Sequence, residues 1–227
     1  METIINDIRY QEVLGEMYVV GFIRGSVIKE VCIPEAVNEL PVTKIAPDAF
    51  KGTAIKELWL PCTITEICSH AFENCLWLEE VNIGSSNGNE LHIHHNAFKN
   101  CPELMYFDAC GRPTIVDSYA FTHCSKLKDL DIMATKISAY AFYECNDLHD
   151  LCLGNDAMLL GYCLDGCPIE KLCAIGNASF TPETLDYFTK RNAKIYCTKT
   201  SNLQDLAYSG YPVEIYSDDI DDILLMN

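Results

Sequence analysis

Five copies of the dipeptide Ala-Phe recur along the chain, at Ala49-Phe50, Ala71-Phe72, Ala97-Phe98, Ala120-Phe121 and Ala141-Phe142, their starts 22, 26, 23 and 21 residues apart. A period of this length restricts the architecture severely. Each unit is too short to bury an apolar side alone, so successive units must stack, and the stack is a solenoid. Such a molecule offers an extended surface rather than a deep pocket.

Aligned on the dipeptide, the unit reads Ile-x-x-x-Ala-Phe-x-x-Cys-x-x-Leu-x-x-Leu-x-Leu. The second copy supplies Ile67, Ala71, Phe72, Cys75, Leu78, Val81 and Ile83; the fourth supplies Val116, Ala120, Phe121, Cys124, Leu127, Leu130 and Ile132. Copy one (Ile45, Ala49, Phe50, Ile55, Leu58, Leu60) and a degenerate copy six (Leu159, Cys163, Leu164, Cys167, Ile169, Leu172, Ala174) fit with the same single deletion.

The closing triplets start at Val31, Leu58, Val81, Phe107, Leu130, Leu151, Leu172 and Ile195. Their period-two alternation buries the flanking residues and turns the central one to solvent, so in register they predict a parallel sheet along one side. The Ala-Phe-x-x-Cys segment reads as a helical turn or short helix on the other.

The ends must differ, because an open last coil exposes its core. Residues 1–30 read as an N-terminal β-hairpin cap, 31–180 as the repeats, 181–216 as a C-terminal cap and 217–227 as a loose acidic tail. Within the C-terminal cap, Thr181-Pro182-Glu183 starts a helix over 182–191. Ser201 and Gln204 form a capping box for a second one, and Val213-Glu214-Ile215-Tyr216 reads as a closing strand.

The net charge of −17 argues against nucleic acid and anionic membranes as partners, since both are bound through basic patches. The longest apolar run, Met17 to Ile23, falls far short of the roughly 20 residues a membrane-spanning helix needs. The first residues have neither the basic start nor the apolar core of a signal peptide, which favours a cytoplasmic location.

The repeat string resembles the BspA-like, or Treponema pallidum-type, leucine-rich repeat, over roughly residues 8–216. The resemblance implies an α/β solenoid: a right-handed leucine-rich-repeat superhelix with short parallel strands on the concave face and short helical turns on the convex side. It also implies a non-enzymatic recognition or adhesion protein, secreted or on the cell surface. The chain departs from the common leucine-rich repeat in lacking an asparagine ladder; cysteine occupies a different column.

Several residues look like chemistry at first sight. Cys75, Cys101, Cys124, Cys145 and Cys167 share one repeat column and read as buried thiols acting as small hydrophobes. His92 and His94 share a strand face at a chelating spacing, which makes the His92–His95 stretch, or the cysteines, the alternative reading: a metal-binding or thiol-dependent protein. Alignment weakens it, because His92 and His95 fall in variable surface columns, so no metal and no cofactor are expected. Tyr119, Tyr140 and Tyr162 precede the Ala-Phe position of successive copies and predict a convex ladder, read as packing. His70 with Cys75, or His123 with Cys124, would suit a nucleophile–base pair, but those cysteines belong to the buried column. No P-loop, nucleophile elbow or dinucleotide fingerprint is present, and no enzyme activity is expected.

The sheet face is more specific. Its solvent-facing triplet centres are Cys32, Trp59, Asn82, Asp108, Asp131, Cys152, Cys173 and Tyr196. The residues just before the triplets are Glu30, Glu57, Glu80, Tyr106, Asp129, Asp150, Lys171 and Lys194. Five of these eight are acidic, well above the 33 acids in 227 residues overall. Neighbouring like charges repel, so the fold itself does not ask for such a column. Glu30, Glu57, Trp59, Glu80, Asn82, Tyr106, Asp108, Asp129, Asp131 and Asp150 are therefore the candidate partner-binding residues, and a basic protein or peptide is the expected partner.

Overall fold

The computed structural model describes residues 1–85, 88–191, 193–198, 201–211 and 213–216, without the side chains of Ala207, Ile215 and Tyr216. The expected acidic tail lies outside the described residues. The chain winds through about eight coils of a β-solenoid.

Each coil contributes to two parallel ladders. The first joins the predicted triplets: Glu30–Cys32, Glu57–Leu60, Glu80–Ile83, the leading parts of Tyr106–Val116, Asp129–Ile137 and Asp150–Leu159, then Lys171–Ala174, Lys194–Thr198 and Val213–Tyr216. The second runs through the isoleucine that opens each repeat, in the order Val19, Ile45, Ile67, Ile93, Val116, Ile137, Leu159, Phe180. The repeat pattern marks these positions as apolar but gives only one such residue per strand, too little for a period-two signal.

At the N-terminus, Glu2–Ile5, Ile8–Val13 and Glu16–Phe22 pair antiparallel, and the last of them joins the second ladder at Val19↔Ile45. Gly21 sits there at φ 113°, with no room for a side chain against the Ala49 carbonyl oxygen. At the other end stand two helices, Pro182–Arg191 and Gln204–Tyr208. The Ser201 hydroxyl accepts the Leu203 N–H at 3.1 Å ahead of the second.

Between the ladders the Ala-Phe segments are turns, not the helical turns expected from their spacing. Two residues per coil are left-handed. One is just before Ala (Asp48, His70, Asn96, Tyr119 and Tyr140, φ 57–62°), the other two after Phe (Gly52, Asn74, Asn100, His123 and Glu144, φ 59–66°) or, in copy six, after Leu164 (Gly166, φ 87°). Right-handed helix cannot run through such residues. The Phe N–H groups instead reach the next coil, as in Phe50 to the Ala71 carbonyl and Phe72 to the Ala97 carbonyl, both 2.8 Å.

The core repeats with the backbone. Phe50, Phe72, Phe98, Phe121 and Phe142 are fully buried and stack ring on ring, with centroids 5.0–5.4 Å apart. The cysteine column does more than fill space. The thiols of Cys75, Cys101, Cys124, Cys145 and Cys167 donate to the carbonyls of Phe50, Phe72, Phe98, Phe121 and Phe142 in the preceding coil, at 3.0–3.2 Å. The thiol is a second donor to the buried carbonyls of Phe50, Phe72, Phe121 and Phe142, which also accept a backbone N–H from Thr53, Cys75, Cys124 and Cys145 of their own coils. None of the thirteen cysteines is joined in a disulfide, and burial pushes the Cys163 thiol up to about 12.

Arg112 breaks the apolar pattern. It is 2% exposed, donates through Nη2 to the Ile64 carbonyl at 3.0 Å and through Nε to the Asn89 carbonyl at 3.1 Å, and so reaches two coils back.

Candidate functional site

Parallel register turns the ten predicted residues into rows. Glu30, Glu57, Glu80, Tyr106 and Asp129 align strand by strand, and Trp59, Asn82, Asp108 and Asp131 form the row beside them. Asp150 pairs onward with Lys171. Its strand joins the preceding one only from Ala134↔Leu153 on, so among the described residues no ladder pairing links Asp129–Asp131 to Asp150–Cys152.

That gap opens a groove of about 500 Å³. Seven of the ten predicted residues line it: Glu80, Asn82, Tyr106, Asp108, Asp129, Asp131 and Asp150. Glu30, Glu57 and Trp59 extend the rows beyond it, and Trp59, 44% exposed, borders a second hollow shared with Pro34, Glu35 and Pro61. Leu130, expected buried as a triplet flank, is only half-buried, because the neighbouring strand that would cover it stands away.

The groove is electrostatically tense. Partial loss of water pushes the Asp131 carboxyl up, and the Asp108 carboxylate opposite adds to this by charge and hydrogen bond, against the Gly111 N–H. Asp108 accepts the Cys110 N–H at 2.7 Å, and Glu80 accepts from the Asn82 amide at 2.8 Å. Lys128 lies 4.8 Å from the centre of the Tyr106 ring and 3.8 Å from Asp129. One cation among Glu80, Asp108, Asp129, Asp131 and Asp150 leaves the rim strongly negative.

The face is not open along its whole length. Cys173 and Tyr196, expected in solvent as triplet centres, are 1% and 7% exposed and pack together with Cys152. Lys171 lies 6.0 Å from the Tyr196 ring. An aromatic ring beside two sulfurs buries more apolar surface folded down than standing out.

The imagined nucleophile–base pairs are not formed. His70 Nδ1 meets Glu73 at 2.8 Å and His123 Nδ1 meets Glu144 at 2.9 Å, while Cys75 and Cys124 donate inward to carbonyls.

The histidine stretch divides. His95 stands between His70 and Tyr119 in edge-to-face contact, extending the Tyr119–Tyr140–Tyr162 stack, whose centroids are 5.3 and 5.5 Å apart. His92 and His94 stack on one another at 3.8 Å and meet carboxylates from the adjoining coils, Asp117 and Glu66. The sequence reading missed those partners and Cys68. The alignment of the repeat puts Glu66 and His92 in one column, read as a variable surface position rather than as neighbours across the ladder; Asp117 lies just past the strand, where register alone brings it in.

The fold is similar to a crystal structure of a leucine-rich cell surface protein from Faecalibacterium prausnitzii, at 22% identity and a TM-score of 0.66 over 87% of this chain. The chain spans 54% of that protein's length. A leucine-rich repeat protein of T. pallidum aligns over 94% of this chain and 98% of its own, at 16% identity and a TM-score of 0.44. No curated protein matches the sequence. Residues 43–170 match the BspA type leucine-rich repeat region in six copies, more than half of the chain. The chain therefore belongs to the BspA-type leucine-rich repeat family.

Proposed function

We propose that this protein is a non-enzymatic recognition module that takes an extended basic segment of a partner protein along the acidic face of the first sheet. The observation that carries this reading is the groove at the ladder gap, where Glu80, Asp108, Asp129, Asp131 and Asp150 surround exposed Tyr106. Acids held this close destabilise the empty face, and a cationic partner relieves the repulsion as it binds. Aromatic groups beside the charges supply the apolar contact that binding energy usually depends on.

Dimensions agree. The rows cross five strands at about 4.8 Å spacing, a length of roughly 20 Å, which accommodates about six extended residues. Family membership supports a protein-interaction or adhesion role, and the F. prausnitzii relative, described as a cell surface protein, supports a secreted or surface setting. Among the described residues no helix is long and apolar enough to cross a membrane.

The test is binding of a lysine- and arginine-rich peptide to the protein and to a variant with Glu57, Glu80, Asp129 and Asp150 changed to lysine. The expected result is at least a tenfold loss of affinity, with salt weakening the wild-type complex and not the residual one. Equal affinity in both proteins rules the reading out.

A further inference from the structure

On the outer side of the second ladder, away from the acidic groove, three coils bring nitrogen and oxygen donors to one point. His92 and His94 project from the same side of Leu91–Ile93 and its continuation, with ring centroids 3.8 Å apart. Both converge on one oxygen of the next coil's Asp117: His92 Nε2 lies 2.8 Å and His94 Nδ1 3.5 Å from Oδ2. Donor atoms of the three residues all fall within 4.8 Å of one another.

We propose that His92 Nε2, His94 Nδ1 and Asp117 Oδ2 form a binding site for a divalent transition metal of the zinc type, with water in the fourth position. Two imidazoles and a carboxylate suit zinc in kind and number. Donors of a tetrahedral zinc at about 2.1 Å stand roughly 3.4 Å apart, a spacing that the pairs at 2.8 and 3.5 Å bracket; the two stacked imidazoles splay apart to aim both lone pairs at one ion.

The surroundings favour the same assignment. The other nitrogen of His94, Nε2, meets Glu66 Oε2 at 3.2 Å, and the second oxygen of Glu66 is held by Lys44 Nζ at 2.6 Å. A carboxylate behind a ligating imidazole orients the ring and raises its donor strength, a common arrangement at zinc sites. Here it leaves Nδ1 as the nitrogen turned toward Asp117. The backbone under the site is fixed, because His94 N–H bonds the Ile67 carbonyl and Asp117 N–H bonds the Ile93 carbonyl, both at 2.9 Å. The side chains are 25–33% exposed, accessible to an ion yet partly shielded from water.

Cys68 lies within reach of Glu66 and His94 and offers a competing sulfur-containing set. Cobalt distinguishes the two, since a thiolate ligand adds an intense near-ultraviolet charge-transfer band that a nitrogen–oxygen set lacks.

The experiment titrates tag-free, reduced full-length protein with Zn²⁺ and with Co²⁺. One ion per chain is expected, with cobalt visible bands and no thiolate charge transfer. His94→Gln and Asp117→Asn should each lower Zn²⁺ affinity at least tenfold, Glu66→Gln by about tenfold, and Cys68→Ser not at all. Thermal melts of the metal-free variants separate loss of ligand from loss of fold. The assignment is overturned if the His92→Gln/His94→Gln double variant, shown folded, binds as tightly as wild type. A strong thiolate band, or a loss that tracks Cys68→Ser, overturns it equally.

Discussion

Asp108 and Asp131 stand opposite one another in register on adjacent parallel strands, so two carboxylates share one position of the sheet face. Partial burial first, and the Asp108 charge beside it second, hold the Asp131 carboxyl above its ordinary 3.8. For an acid with a raised folded-state pKa, stability is fully present at low pH and is lost as pH rises through that value. Asp131→Asn should therefore melt slightly higher than wild type at neutral pH, by no more than about 2 °C given the solvent around it. The advantage should vanish near pH 3, below the ordinary carboxylate value. The same variant should bind a basic peptide more weakly. A melting point lowered at pH 7 contradicts this account.

The thiol ladder carries a separate prediction. Cys124 is fully buried and donates to the Phe98 carbonyl at 3.1 Å. Cys124→Ala removes the donor and leaves a small void, which should cost about 1–3 kcal/mol. Urea denaturation should show a lower midpoint at unchanged slope. A loss of only a few tenths would mean that the column serves packing alone.

Gly21 fixes the N-terminal cap to the repeats. Its φ of 113° is out of reach for other residues, and any Cβ meets the Ala49 backbone. Gly21→Ala should cost several kcal/mol, and hydrogen exchange should show protection lost first in Ile8–Val13 and Glu16–Phe22. Retained protection there would refute the steric argument.

Acid should loosen the turn side of the solenoid. Glu73 accepts from Lys51 and His70, both at 2.8 Å, and is 14% exposed. The Lys51 hydrogen bond, working against burial and helped by His70, holds the carboxyl below its ordinary 4.5. A depressed carboxylate contributes stability above its unfolded-state value that is lost as pH falls through the folded one. Between about pH 5 and pH 3 the wild-type melting temperature should thus fall more than that of Glu73→Gln. Parallel curves would show the contact to be inert.

Much of this molecule is legible from its repeat. The column containing Cys75 and Cys124, the Phe stack and the rows from Glu57 to Asp129 all follow from aligning copies on Ala-Phe, because translation by one coil preserves neighbours. What alignment conceals is whatever differs between coils or depends on backbone handedness. Tyr119 and Tyr140 give no compositional hint that they are left-handed, so the turns looked helical. The gap beside Asp131 arises where one strand fails to pair with the next, a property of two coils that no single repeat encodes. Glu66 and Asp117 meet the histidines only through register in a ladder with one apolar marker per strand. Tyr196 folds down onto Cys173 and Cys152, sulfur-bearing neighbours in the positions that hold Asp108 and Asp131 two coils earlier.

Arg112 bears on how the molecule comes apart. A stack held by nearest-neighbour contacts alone frays from either end, losing one coil at a time with little loss of the rest. Arg112 ties its own coil to the carbonyls of Asn89 and Ile64 in the two before it. Losing either acceptor coil leaves the buried guanidinium short of a partner, at a cost of about 1–3 kcal/mol for each hydrogen bond to the charge. Those three coils therefore yield together, as a central cooperative block from which the outer coils peel away. Part of the acidic groove, with Tyr106 and Asp108 on Arg112's own strand, is built on that block and would keep its shape while the ends breathe.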